Sequence, residues 1–98
     1  MPTIRITVAK KMSNPELYAK YGQKLTPLCD LLEEGAVFLS RDYHMPEGFC
    51  PWAWADIHRE IITLAMGGEY PWSSQQGAAV ACCTDGLRPV VFVLERVE

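Results

Sequence analysis

No stretch of this sequence approaches the roughly 18 consecutive apolar residues that a membrane-spanning helix needs, so the chain is read as non-membrane. The opening MPTIRITVAKK has no apolar run like that of a secretory signal, which points to the cytoplasm. An excess of positive charge is missing too. Nine Lys and Arg stand against twelve Asp and Glu, for a net charge of −3, a poor balance for a nucleic-acid binder. Catalytic and nucleotide-binding signatures are also missing: there is no GxSxG, P-loop, GxGxxG or HExxH. The four cysteines do not follow any zinc spacing such as paired CxxC. In a reducing compartment they are thiols or ligands sooner than disulfides.

What remains is the make-up of one globular domain spanning 1–98. Apolar residues are 49% of the chain and charged ones 21%, too apolar for disorder, and 98 residues suffice for a core of their own. The charge is unevenly spread. Residues 1–25 carry Arg5, Lys10, Lys11, Lys20 and Lys24 against Glu16 alone, which reads as a solvated basic rim on an otherwise acidic chain.

The longest helical pattern runs from about Pro51 to Met66. Proline suits the first helical position, where its missing N–H costs nothing, and Gly67-Gly68 supply a stop. Ala53, Trp54, Ile57, Ile61, Leu64 and Ala65 share the core-facing side, opposite Asp56, Arg59, Glu60 and Thr63. A second, narrower strip of Ala55, Ile62 and Met66, with His58 beside it, suggests a partner chain. Trp52 falls on the polar side.

Before this helix, Thr3 to Val8 alternates as a half-buried strand. Asn14-Pro15-Glu16 opens a short helix that Gly22 ends, with Leu17 and Tyr21 expected to pin it to the body. Thr26-Pro27 could start another turn that offers Leu28, Leu31 and Leu32 for burial. Ala36 to Ser40 suits a second strand. After the helix comes a hairpin, about 78–97, around Asp85-Gly86 read as a two-residue type I′ turn. That turn pairs Cys83 with Arg88 and Ala81 with Val90. It puts Ala79, Ala81, Cys83, Val90, Phe92 and Leu94 on one face, and Val80, Cys82, Val91, Val93 and Val97 on the other. Two apolar faces require two covers, a second hint of a homodimer. The expected fold is α+β: a small, mainly antiparallel sheet, one principal helix and a C-terminal hairpin.

Cys50 is the first candidate for chemistry, because unpaired N–H groups at a helix start favour a thiolate. A buried filler cysteine is the commoner role for such a residue. Cys82 and Cys83 point to opposite faces of a strand and cannot both bind one ion without a bulge. A metal site could join Cys50 to Cys82 or Cys83, with Cys29 or His44, although no spacing supports it. Trp52, Asp56, His58, Trp72 and Arg88 complete the candidate ligand set, with Phe49, Trp54 and Tyr70 adding aromatic surface. Each has a plain structural role to set beside that one: core packing, a margin histidine, or an Arg88 pair with Asp85 or Glu95.

The motifs PEGFCPWAWADI, GGEYPW and CCTDGLRPVVFVLER resemble the signature of a family of small, domain-length prokaryotic proteins that is itself uncharacterised. The resemblance covers Pro46 to Arg96, and more loosely the opening strand and Gly35 to Phe38. It implies a stand-alone cytoplasmic domain and supplies no catalytic residues. Three functions follow as expectations. The first is a dimeric accessory module, not an enzyme, with an aromatic- and thiol-lined site for a small ligand or metal. The second is a thiol redox enzyme or sensor with Cys50 as thiolate and Cys82 or Cys83 as resolving partner. The third is an interaction domain using Trp52 and the second helix strip.

Overall fold

The computed structural model describes residues 1–23 and 28–98. The elements are β1 (Thr3–Lys11), α1 (Pro15–Tyr21), β2 (Val37–Arg41), α2 (Pro51–Ala65), β3 (Ala78–Cys82) and β4 (Val90–Arg96). The four strands form one sheet in the order β2-β1-β4-β3, with every neighbouring pair antiparallel. This is the small α+β fold that the patterning implies. The expected Thr26-Pro27 turn lies outside the described residues.

One face of the sheet and one side of α2 make the core. Ile4, Ile6 and Val8 of β1 meet Val90, Phe92 and Leu94 of β4, and α2 lays Ala53, Ile57, Ile61 and Leu64 over them. Each fully buried aliphatic side chain contributes about 1.5–3 kcal/mol against exposure, so this stripe dominates the favourable side of folding. Phe49 closes one end of the core. Its ring lies edge-on to Phe38 at 5.1 Å and tilted against Phe92 at 5.5 Å.

β1 runs beyond the alternating segment because it is bulged. Val8 pairs with Phe92 and Lys10 with Val91, leaving Ala9 as an extra residue. The bulge breaks the alternation that marks Thr3–Val8 in sequence, yet the strand continues to Lys11. β2 sits one residue later than the apolar run suggests. α2 ends where expected: Gly67, at φ +86°, takes the left-handed position after the last turn.

Two local expectations are corrected. Leu17 and Tyr21 do not pin α1, being 49% and 66% exposed, and the helix buries no residue. Asn14 makes the attachment instead: its backbone N–H donates to the Leu87 carbonyl at 3.1 Å and its Nδ2 to the Gly86 carbonyl at 2.5 Å. The hairpin is not closed by a type I′ turn, since neither Asp85 nor Gly86 has the positive φ that turn demands. The Asp85 carboxylate accepts N–H groups from Leu87 (3.0 Å) and Arg88 (3.1 Å), and the loop widens to 84–89. Cys82 therefore faces Val91 and Ala81 faces Phe92. This register is two residues from the expected one, and a two-residue step leaves every side chain on its assigned face. Among the described residues no helix packs on the second face: Val80 is 70% exposed, Cys82 and Val97 are exposed as well, and Val91 and Val93 are half-buried.

Candidate functional site

A pocket of about 460 Å³ opens where three segments meet: residues 29–32, the start of α2, and the 83–90 hairpin loop. Its thiols are Cys29, Cys50 and Cys83, three of the chain's four cysteines. Leu31, Leu32, Ala53 and Val90 supply apolar wall, and Thr84, Asp85 and Arg88 supply polar points. The volume is in the range of small-molecule sites, as is the mix of apolar wall and few polar groups.

The sequence builds each wall for a local reason. Cys50 is the N-cap of α2 in extended conformation, and its carbonyl takes the first helical bond from Trp54 N–H at 2.9 Å. Its side chain makes no capping bond. The N–H groups of Trp52 and Ala53 have no helical carbonyl behind them, so the pocket touches the positive end of the helix dipole. Cys83 is buried, and its sulfur accepts the Val90 N–H at 3.2 Å. Arg88 is largely buried and lies 3.4 Å from the Asp85 carboxylate, the structural pairing foreseen for it.

A polar latch holds the pocket rim. Asp56 Oδ2 accepts the Thr84 backbone N–H at 2.7 Å, and both carboxylate oxygens accept the Thr84 hydroxyl, at 3.0 and 2.9 Å. Trp52 Nε1 donates to the same Thr84 Oγ1 at 3.1 Å. This explains the tryptophan on the polar side of α2. It is 66% exposed, and its indole N–H is tied to the hairpin loop.

The proposed ligand residues thus divide. Cys50, Trp52 and Arg88 line the pocket, and Asp56 fastens its rim. Trp72 lies elsewhere, its ring tilted against Tyr70 at 5.2 Å beside β3. His58 packs against Trp54 at 5.4 Å and does not line the pocket. Among the described residues the aromatic lining is Trp52 alone, because Phe49 belongs to the core and Trp54 partly so. No family model, curated protein or solved structure matches this chain. The reading of the site therefore rests on its geometry.

Of the adjacent cysteines, only Cys83 reaches the pocket. Cys82 lies on the other face of β3, where burial, then the neighbouring Cys83 and Asp56, push its thiol above the ordinary range. All four cysteines are free thiols. Among the described residues, no group of three or more His, Cys, Asp or Glu is placed to hold a metal ion. No helix among them is long and apolar enough to cross a membrane. Cys29 enters the sequence reading only as a possible metal partner and Leu31 only as a side chain to bury, and Thr84 has no site role there. A threonine directly before the Asp85-Gly86 loop signal was the available clue to the latch.

Proposed function

We propose that this chain is a cytoplasmic binding module, acting as a homodimer, whose thiol-lined pocket takes a small organic ligand. The convergence of Cys29, Cys50 and Cys83 with Arg88 and the α2 N-terminus around one 460 Å³ space carries the reading. A ligand suited to it has an apolar body for Leu31, Leu32 and Val90 and an anionic or strongly polar end for Arg88 and the helix start. Dimerisation is supported by the apolar second sheet face, on which Val80 and Val97 are exposed, and by Met66 of the second helix strip, which is exposed as well. Ligand-observed NMR with a fragment library tests the site. Fragments carrying a carboxylate on an apolar ring are expected to bind, and Cys50→Phe, which fills the pocket mouth, to abolish their signals. Fragments that bind Cys50→Phe and wild type equally would overturn it.

One observation favours a second reading: Cys50 and Cys83 face the same space. In a thiol redox protein, a peroxide would convert the Cys50 thiolate to a sulfenic acid. Attack by Cys83 would then expel water and leave a disulfide. Mass spectrometry after peroxide treatment distinguishes the readings. A Cys50–Cys83 disulfide supports the redox protein, and stable sulfinic acid at Cys50 refutes a resolving role for Cys83.

A further inference from the structure

β3 is the edge of the sheet whose pairing side is open. The ladder to β4 fixes its phase: Arg96 N–H donates to the Gly77 carbonyl at 2.7 Å, and Cys83 N–H to the Val90 carbonyl at 3.0 Å. Residues 77, 79, 81 and 83 therefore spend their backbone groups on β4, while Ala78, Val80 and Cys82 turn theirs outward. None of these outward groups has a partner among the described residues. The strand reads AAVAC, with no charge and no proline to discourage another strand. The opposite edge is different. At the end of β2 the Arg41 carbonyl is taken by the His44 N–H at 3.0 Å, and the chain curls away through Asp42 and Tyr43 at positive φ.

We infer that the homodimer forms by antiparallel pairing of β3 with β3 of a second copy about a two-fold axis at Val80, giving one continuous eight-stranded sheet. This deepens the homodimer proposed above and rests on it. The second copy is the occupant because the edge is self-complementary: Val80 faces Val80, and Ala78 faces Cys82 in both directions. Every outward N–H and C=O of Ala78, Val80 and Cys82 then finds a partner, and the strand itself brings no charge to the seam. A head-to-tail β2–β3 pairing would use a curled edge and leave the assembly open-ended. The side chains agree with the backbone. Val37, Thr7, Val93 and Val80 form one row across the exposed face, and pairing continues it into the second copy's row. Trp72, 81% exposed, stands beside Ala79 and Val80 and lines the grooves on both sides of the edge, placed to close over the incoming strand.

Light scattering on the whole chain, at about 100 μM and in dilution, measures the dimer first. Two variants test the edge. Val80→Lys puts two ammonium groups opposite each other and is expected to raise the dimer dissociation constant tenfold or more. Its side chain points to solvent in the monomer, so the circular dichroism spectrum should not change. Val80→Cys in a Cys82→Ser background should cross-link with oxidised glutathione, since directly paired residues have Cα atoms about 5.5 Å apart, within disulfide reach. A wild-type dimer that Val80→Lys leaves intact and Val80→Cys fails to cross-link would overturn the β3 interface and leave the dimer standing. A wild-type monomer at 100 μM would overturn both, without touching the pocket.

Discussion

Cutting the latch between Asp56 and Thr84 should loosen the pocket rim by a calculable amount. Asp56 accepts one backbone and one side-chain donor from Thr84, and both are charge-assisted. Hydrogen bonds to charged groups contribute about 1.5–3 kcal/mol when well shielded. Thr84 is exposed, so water recovers part of the loss. Asp56→Ala is then expected to cost about 1–2 kcal/mol, which moves a urea midpoint by about 1 M at a slope near 1.5 kcal/mol/M. Thr84→Val removes the hydroxyl but keeps the N–H, and should cost about 0.5–1 kcal/mol. The double variant should cost less than the two together by about 0.5–1 kcal/mol, the coupling expected of contacting partners. A second assay follows the rim directly. Cys83 is buried beneath the loop that Thr84 opens, so its alkylation should speed up in Asp56→Ala while that of Cys29 changes little. Strict additivity in the cycle, or an Asp56→Ala variant within about 0.3 kcal/mol of wild type, would refute the latch.

Two further outcomes concern the framework. Arg96 donates to the Leu64 and Gly68 carbonyls at 2.8 and 3.0 Å and pairs with Glu69, tying the end of α2 to β4. Arg96→Met should therefore lower stability by about 2 kcal/mol in urea titration; a change below about 0.5 would mean that solvent serves those carbonyls equally well. The Gly77 N–H, and after it Arg96, hold the Glu69 carboxyl below its ordinary range. Its contribution is present above the unfolded value and is lost as pH falls through the lower folded one. Urea midpoints measured between pH 7 and pH 3 should show wild type and Glu69→Gln converging below about pH 4.5, whereas a gap independent of pH would exclude the carboxylate as the cause.

The features legible in the sequence are those set by local periodicity and by glycine and proline chemistry. The ends of α2, its buried stripe of Ala53, Ile57, Ile61 and Leu64, and the facing of both hairpin strands all follow from such signals. The hairpin register does not, because Asp85 uses its side chain to hold two N–H groups and Pro89 sits where a ladder donor was expected. The anchoring of α1 is not legible for a related reason. Leu17 and Tyr21 have helical spacing, but spacing cannot reveal that Asn14 already ties the segment to the hairpin loop. The pocket was only half visible. Cys50 and Arg88 stand out by their positions, but Cys29 lies in an irregular stretch with no period to place it. Asp56 was visible as a polar point on the helix. Its partner Thr84 is 28 residues away and depends on tertiary docking.

The strand order carries a consequence for how the chain acquires its shape. The two central strands, β1 and β4, come from opposite ends of the described chain, with Ile4 set against Arg96. During synthesis, β1 must wait for nearly all the intervening chain before its main partner exists. β2 can join it earlier, and α2, β3 and β4 can close on one another over short loops. The last event left is the joining of the two halves along the β1–β4 seam. It demands the longest loop closure in the molecule, which makes this a slow folder for its size. Until the seam closes, Ile4, Ile6 and Val8 lack the Val90, Phe92 and Leu94 side chains that they pack beside in the folded core, an apolar row of the kind that makes incompletely folded chains prone to aggregate.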